Sequence, residues 1–340
     1  MAYYSEKIIK DTKERDEYRE GIERFLDEAI AKANAKREEY LTPEKLIADP
    51  EKYRREFAEL LGYPLTEKLQ TPKLVEKVFV AEDGNIRIFR MRLDYFGYLK
   101  LYGIYFEQKE SPESAPFVIS QHGGAGTPEL VSSIYCGSAN YNHQTRRITD
   151  RGANVFAPQL LLWHKETYGN EYNREYLDGK LRMMGGSMTA LEIYLLMGAI
   201  SYFIENENIN RERIGLIGLS YGGMYTQYLM ALDTRIKACY ASSYFNDLYN
   251  NPRPDWCYHG SAYKFNCAEI AALAIPRALC VSVGDKDPMF AKEDTLSAGK
   301  RTASFYKAAG VEDRFLCDIF DGVHELNKLD TGIDFLMSNL

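Results

Sequence analysis

The sequence predicts an α/β fold: a mostly parallel central β-sheet flanked by helices, with an N-terminal helical extension ahead of it. Near-continuous apolar runs of strand length recur after Pro116, the pattern of strands buried on both faces. They alternate with segments of helical periodicity, which is the signature of a layered α/β domain. Ahead of them, residues 1–71 carry helical spacing and no strand signal.

Taken in order, Ile22, Phe25, Leu26, Ala29, Ile30 and Ala33 recur at steps of three and four among charged neighbours, so one long amphipathic helix is expected there. Two helix starts follow, each with a cap residue before proline (Thr42-Pro43 and Asp49-Pro50), and Gly62 with Pro64 ends the run. From Pro72 the period changes to that of strands in EKVFVAED, NIRIFRMRL and YLKLYGIYFEQ, with a tight turn at Asp83-Gly84-Asn85. Six further strand runs are PFVISQ, NVFAP, RIGLIGL, RIKACYAS, RALCVSV and RFLCDIF. Between them SMTALEIYLLMGAISYFIEN and TLSAGKRTASFYKAAG read as helices. The expected division is a helical extension over 1–71, packing on a catalytic domain over 72–340. Two long stretches, Gln159 to Gly186 and Tyr244 to Asn266, fit neither period and read as loops at strand ends, where open α/β sheets bind ligands.

The chain has 340 residues, 45% of them hydrophobic and 27% charged, which suits one large globular core. A net charge of −7 without any long basic run argues against nucleic-acid or anionic-membrane partners and leaves a small or neutral molecule. The N-terminal residues are charged throughout, without the apolar core of a secretory signal, and no stretch reads as the ~20 apolar residues of a membrane span. The expected location is the cytoplasm. The six cysteines form no CxxC pair and read as reduced, mostly buried thiols, so no metal is expected.

Gly218-Leu219-Ser220-Tyr221-Gly222-Gly223 stands directly after a strand run and before a helical pattern. Small residues on both sides let strand and helix approach closely enough to force Ser220 into a strained, exposed turn. The alternative is a glycine-rich turn with an ordinary capping serine; a nucleotide loop would need GxGxxG or a following Lys-Ser/Thr, and neither is present. A serine hydroxyl needs a base and an acid. His324 follows the last strand run, and Asp285 and Asp287 follow the one before it, so the chain order is Ser, Asp, His. Asp287 is preferred for its GxxD spacing from Gly284, with Asp285 left open. The amide of Tyr221 and those of the loop Gln121 to Glu129, Gly124 first and Gly123 or Ala125 next, are the candidates for holding an oxyanion. His122, Trp163, His164, Trp256 and His259 are candidate substrate contacts, although loop aromatics often only pin a loop to the core.

The His122-Gly123-Gly124 loop, the elbow from Gly218 to Gly223, AEIAALAIPRALCVSVGDKDP and FDGVHE together resemble the α/β-hydrolase superfamily, and within it the dienelactone-hydrolase-like and acetyl-xylan-esterase-like hydrolases. The resemblance spans Pro116 to the C-terminus. It implies a serine esterase without metal or organic cofactor, acting on an ester substrate such as an acetylated xylo-oligosaccharide. Peptidases of the prolyl-oligopeptidase type share the elbow, but the chain has no room for their propeller. A catalytically silent binding protein is the third reading, and the oligomeric state is left open.

Overall fold

The computed structural model describes residues 4–5, 9–110, 113–124, 126–134, 137–162, 172–253 and 256–340. It divides into two compact units, Met1–Thr42 and Pro43–Leu340. The first holds helix α1 (Ile9–Tyr40). Helices α2 (Pro43–Ala48) and α3 (Pro50–Leu61), grouped with α1 by their periodicity, belong to the unit that contains the sheet. The reason is packing: Phe57 of α3 is fully buried and meets Tyr228 edge-on at 5.2 Å. Asp49 caps α3 through the Lys52 amide at 3.1 Å, and the Gly62 amide closes its other end on the Ala58 carbonyl at 2.9 Å.

Among the described residues nine strands form one sheet: β1 (Lys73–Asp83), β2 (Ile86–Tyr95), β3 (Leu99–Gln108), β4 (Phe117–Gln121), β5 (Asn154–Pro158), β6 (Ile214–Leu219), β7 (Ala238–Ser242), β8 (Ala278–Gly284) and β9 (Phe315–Phe320). Their spatial order is β1-β2-β3-β5-β4-β6-β7-β8-β9. The first three strands and the β3–β5 pair are antiparallel, and every pairing from β5 to β9 is parallel. The carboxyl ends of β4 to β9 therefore open on one edge.

The remaining helices are α4 (Pro128–Val131), α5 (Gln144–Thr149), α6 (Arg174–Met183), α7 (Met188–Asn206), α8 (Tyr221–Leu232), α9 (Cys267–Ala272), α10 (Lys292–Ala308) and α11 (Thr331–Ser338). Neighbouring residues of one strand show which helices cover which face, because successive side chains point to opposite sides. Phe117 and Phe156 meet Phe203 of α7 at 4.6 and 4.9 Å between ring centroids, whereas Val118 and Val155 pack with Ile148 of α5 and Ile333 and Leu336 of α11. Helix α7, read as a helix from its periodicity, is long and apolar enough by composition to cross a membrane, which corrects the expectation that no stretch is. In this fold its apolar surface is spent inside, with Ile193, Ala199 and Phe203 fully buried. Helix α6 was also unexpected, lying within the first of the two stretches read as loop.

Candidate active site

Ser220 sits between the end of β6 and the start of α8 at φ +61°, ψ −123°, a conformation that costs a residue with a side chain. Its amide donates to the Ser242 carbonyl at 2.8 Å, tying the turn to the end of β7. Close packing maintains the strain. A Cβ on Gly222 would stand 2.5 Å from the Gln121 carbonyl oxygen and 2.8 Å from that of His122, and one on Gly218 would run into the Gly222 carbonyl. Both obstacles are backbone and cannot rotate away. Gly222→Ala is therefore expected to lower stability by about 2 kcal/mol or more, read as a lower urea midpoint. An unchanged midpoint would show that α8 can shift to admit the methyl.

His324 lies on the loop after β9, and its Nδ1 is 2.9 Å from Oδ2 of Asp287, on the loop after β8. The carboxylate is fully enclosed, and its other oxygen accepts the amides of Met289 at 2.8 Å and Phe290 at 3.2 Å. Burial alone would raise the Asp287 pKa; the His324 hydrogen bond and charge, helped by the two amides, outweigh it and hold the group below the ordinary range. Asp285 points elsewhere, accepting the Gly322 amide at 3.1 Å and so joining the loops after β8 and β9. Among the described residues no hydrogen bond joins Ser220 Oγ to His324. The two are linked by a row of rings, Tyr221 to Trp256 at 4.9 Å, Trp256 to Phe290 at 6.3 Å and Phe290 to His324 at 5.7 Å.

The loop after β4 lies against the serine: a Cβ on Gly123 would be 3.3 Å from Ser220 Cβ. Its two candidate amides differ. That of Gly123 donates to the Tyr141 hydroxyl at 2.8 Å and is committed, whereas that of Gly124 makes no such bond among the described residues and Gly124 lines a cavity of about 690 Å³. The alternative Ala125 lies outside the described residues. The Tyr221 amide heads α8 beside Ser220, and the Tyr221 side chain is fully buried.

Of the candidate substrate contacts, Trp163 and His164 lie outside the described residues. Two others need correction. Trp256 is 3% exposed, with Nε1 donating to the Asn251 carbonyl at 2.9 Å, so it pins its loop to the core and offers no open face to a ligand. His122 is fully buried: Nδ1 is 2.8 Å from the Gly123 carbonyl, and Nε2 accepts the Leu160 amide at 3.0 Å. It braces the loop after β4 against the end of β5 rather than meeting substrate. His259 is exposed on a turn whose Gly260 approaches Leu60 of α3, and it forms no hydrogen bond among the described residues.

Burial pushes His122 down to about 4, against the Gly123 carbonyl, which favours the charged form. Below the ordinary histidine value of about 6.5 the unfolded chain binds this proton first, so stability is fully present above that pH. It is lost as the pH falls toward 4, by up to ~3 kcal/mol. Urea midpoints from pH 7 to 4 should therefore fall more steeply for the wild type than for His122→Asn; parallel curves would contradict this.

The residues that anchor the His324 loop were missed by sequence reasoning. Asn140 Nδ2 donates to the His324 carbonyl at 3.0 Å, and the Leu326 amide returns to the Asn140 carbonyl at 2.9 Å. Asn142 Nδ2 donates to the Glu325 carboxylate at 2.9 Å and to the Leu326 carbonyl at 2.6 Å. Their only sequence signal is an unremarkable Asn-Tyr-Asn.

A mostly parallel sheet with helices on both faces, a strained serine at the end of β6 and a histidine–aspartate pair at the ends of β9 and β8 define the α/β-hydrolase fold. No protein-family model matches the chain. It is similar to a curated Bacillus subtilis (strain 168) protein named "Putative hydrolase YtaP", 25% identical over 252 residues that span 71% of this chain and 84% of that one. Among solved structures it is similar to a "putative acetyl xylan esterase" from Bacteroides fragilis, with a TM-score of 0.66 and 16% identity over 88% of this chain and 84% of that one. A glucuronoyl esterase from Solibacter usitatus superposes with a TM-score of 0.62 and 15% identity over 85% and 92%. These structures share the α/β-hydrolase fold with this chain.

Proposed function

We propose that the protein is a serine carboxylic-ester hydrolase acting on an esterified carbohydrate, for which an acetylated xylo-oligosaccharide is the first substrate to test. The observation that carries the chemistry is Ser220 at φ +61° on the turn between β6 and α8, on the same sheet edge as the His324–Asp287 pair. His324 takes the Ser220 proton as Oγ bonds to the ester carbonyl carbon, and Asp287 holds the ring so that Nε2 is the accepting nitrogen. The tetrahedral intermediate collapses as the carbon–oxygen bond to the alcohol breaks and His324 returns the proton to the leaving oxygen. Water, deprotonated by the same histidine, then releases the acid and restores Ser220. The oxyanion is held by the amides of Tyr221 and Gly124, each contributing about 3 kcal/mol. Gly123 drops out of that role because its amide is engaged by Tyr141.

The carbohydrate part of the proposal is supported by the names of the structural neighbours, acetyl xylan and glucuronoyl esterases. It is tested by measuring acid release from acetylated xylo-oligosaccharides, alkyl uronates and simple aryl esters side by side. Preference for either sugar ester over the aryl ester supports it, and turnover of the aryl esters alone contradicts it.

A further inference from the structure

The cavity beside Gly124 lies between β3, the end of β5, α6 and α7. Nine of its nineteen described lining residues are leucines, among them Leu101, Leu160, Leu181 and Leu195, and Met188 adds a further apolar side chain. The one carboxylate among the described lining residues, Glu192, is spoken for. It pairs with Arg174 at 2.9 Å, accepts the Leu161 amide at 2.8 Å and is bonded by the Tyr225 hydroxyl. Among the described residues the cavity thus presents a mostly apolar wall whose carboxylate is neutralised, and its two lysines, Lys100 and Lys180, are exposed at its rim.

An ester whose carbonyl oxygen rests on the Gly124 amide must put one of its two substituents next to that residue. The leaving oxygen has to receive its proton from His324, so the alcohol occupies the His324 side. None of the described lining residues comes from the loops after β7, β8 or β9. What enters the cavity is therefore the acyl group. A volume of about 690 Å³ lies in the range of small-molecule sites, whereas the methyl of an acetyl group needs about the ~30 Å³ of one water and would leave most of the space empty.

We propose that this leucine-lined cavity is an acyl site for medium-length apolar chains, so that esters carrying them are hydrolysed in preference to acetyl esters of the same alcohol. This rests on the ester-hydrolase reading for its chemistry, and on the cavity alone for its ligand. Burying one methylene is worth ~0.8 kcal/mol, close to fourfold in affinity.

The test has two arms. In the first, kcat/KM is measured for p-nitrophenyl acetate, butanoate, hexanoate and octanoate. The wild type should gain at least tenfold from acetate to hexanoate. Leu181→Asp, on the half-buried face of α6, should lose that gain and Leu181→Met should keep it. A decline with chain length would overturn the proposal. In the second arm, octanoate and acetate are titrated calorimetrically into Ser220→Ala, which needs no turnover. Octanoate binding at least tenfold tighter than acetate, and lost in Ser220→Ala/Leu181→Asp, supports the cavity even if no ester is hydrolysed. Equal affinities would overturn it even if esters are hydrolysed well.

Discussion

Ser220→Ala is expected to lower kcat for ester hydrolysis on the order of 10⁶-fold while leaving the protein as stable as the wild type. The first half follows from the chemistry: without the hydroxyl no acyl-enzyme forms, and only the oxyanion amides and substrate binding remain to act on water. The second half follows from the structure, since among the described residues the Ser220 hydroxyl makes no hydrogen bond that the fold would miss. Ser220→Gly adds a separate check on the strained turn. Glycine adopts φ +61° without penalty, so this variant should be inactive yet more stable by ~1 kcal/mol. Retained turnover in the alanine variant, measured on p-nitrophenyl esters, would remove Ser220 from the chemistry.

Asp287→Asn is expected to reduce kcat by roughly 10⁴-fold, and Asp285→Asn to change it only a few-fold. An amide at 287 can donate to His324 Nδ1, which then accepts, so the ring's proton moves to Nε2 and the nitrogen needed as a base is blocked. Asp285 bonds the Gly322 amide, so its loss loosens the loop without touching the imidazole. The depressed pKa of Asp287 adds a pH dependence. A carboxyl held below its unfolded value of ~3.9 contributes stability that is present above that pH and is lost as the pH falls through the lower folded value. Urea midpoints below pH 4 should thus converge for the wild type and Asp287→Asn. Comparable kcat losses in the two aspartate variants would contradict the assignment.

What the sequence revealed and concealed divides along physical lines. Strands such as RIGLIGL and RALCVSV are legible because burial on both faces leaves an unbroken apolar run. The turn at Ser220 is legible because only glycine fits at Gly218 and Gly222, where backbone meets backbone. Helix α6 was not, because Arg174–Met183 is short, charged and interrupted by Gly179, and its apolar side rests on only a few residues, Leu177 and Leu181 among them. Trp256 and His122 were misplaced for a different reason. Whether a loop aromatic or a histidine faces ligand or core depends on partners distant in sequence, Tyr221, Phe290 and Leu160 among them. Asn140 and Asn142 act on a loop more than 180 residues away, which no local pattern records.

The central claim, that Ser220 is a nucleophile activated by the His324–Asp287 pair, is tested most directly by treating the protein with a fluorophosphonate and weighing it intact. One phosphonyl group should add to the wild type, mapped to Ser220 by peptide sequencing, and His324→Ala should label far more slowly. An unlabelled wild type, or label on another residue at the same rate in Ser220→Ala, would contradict the account.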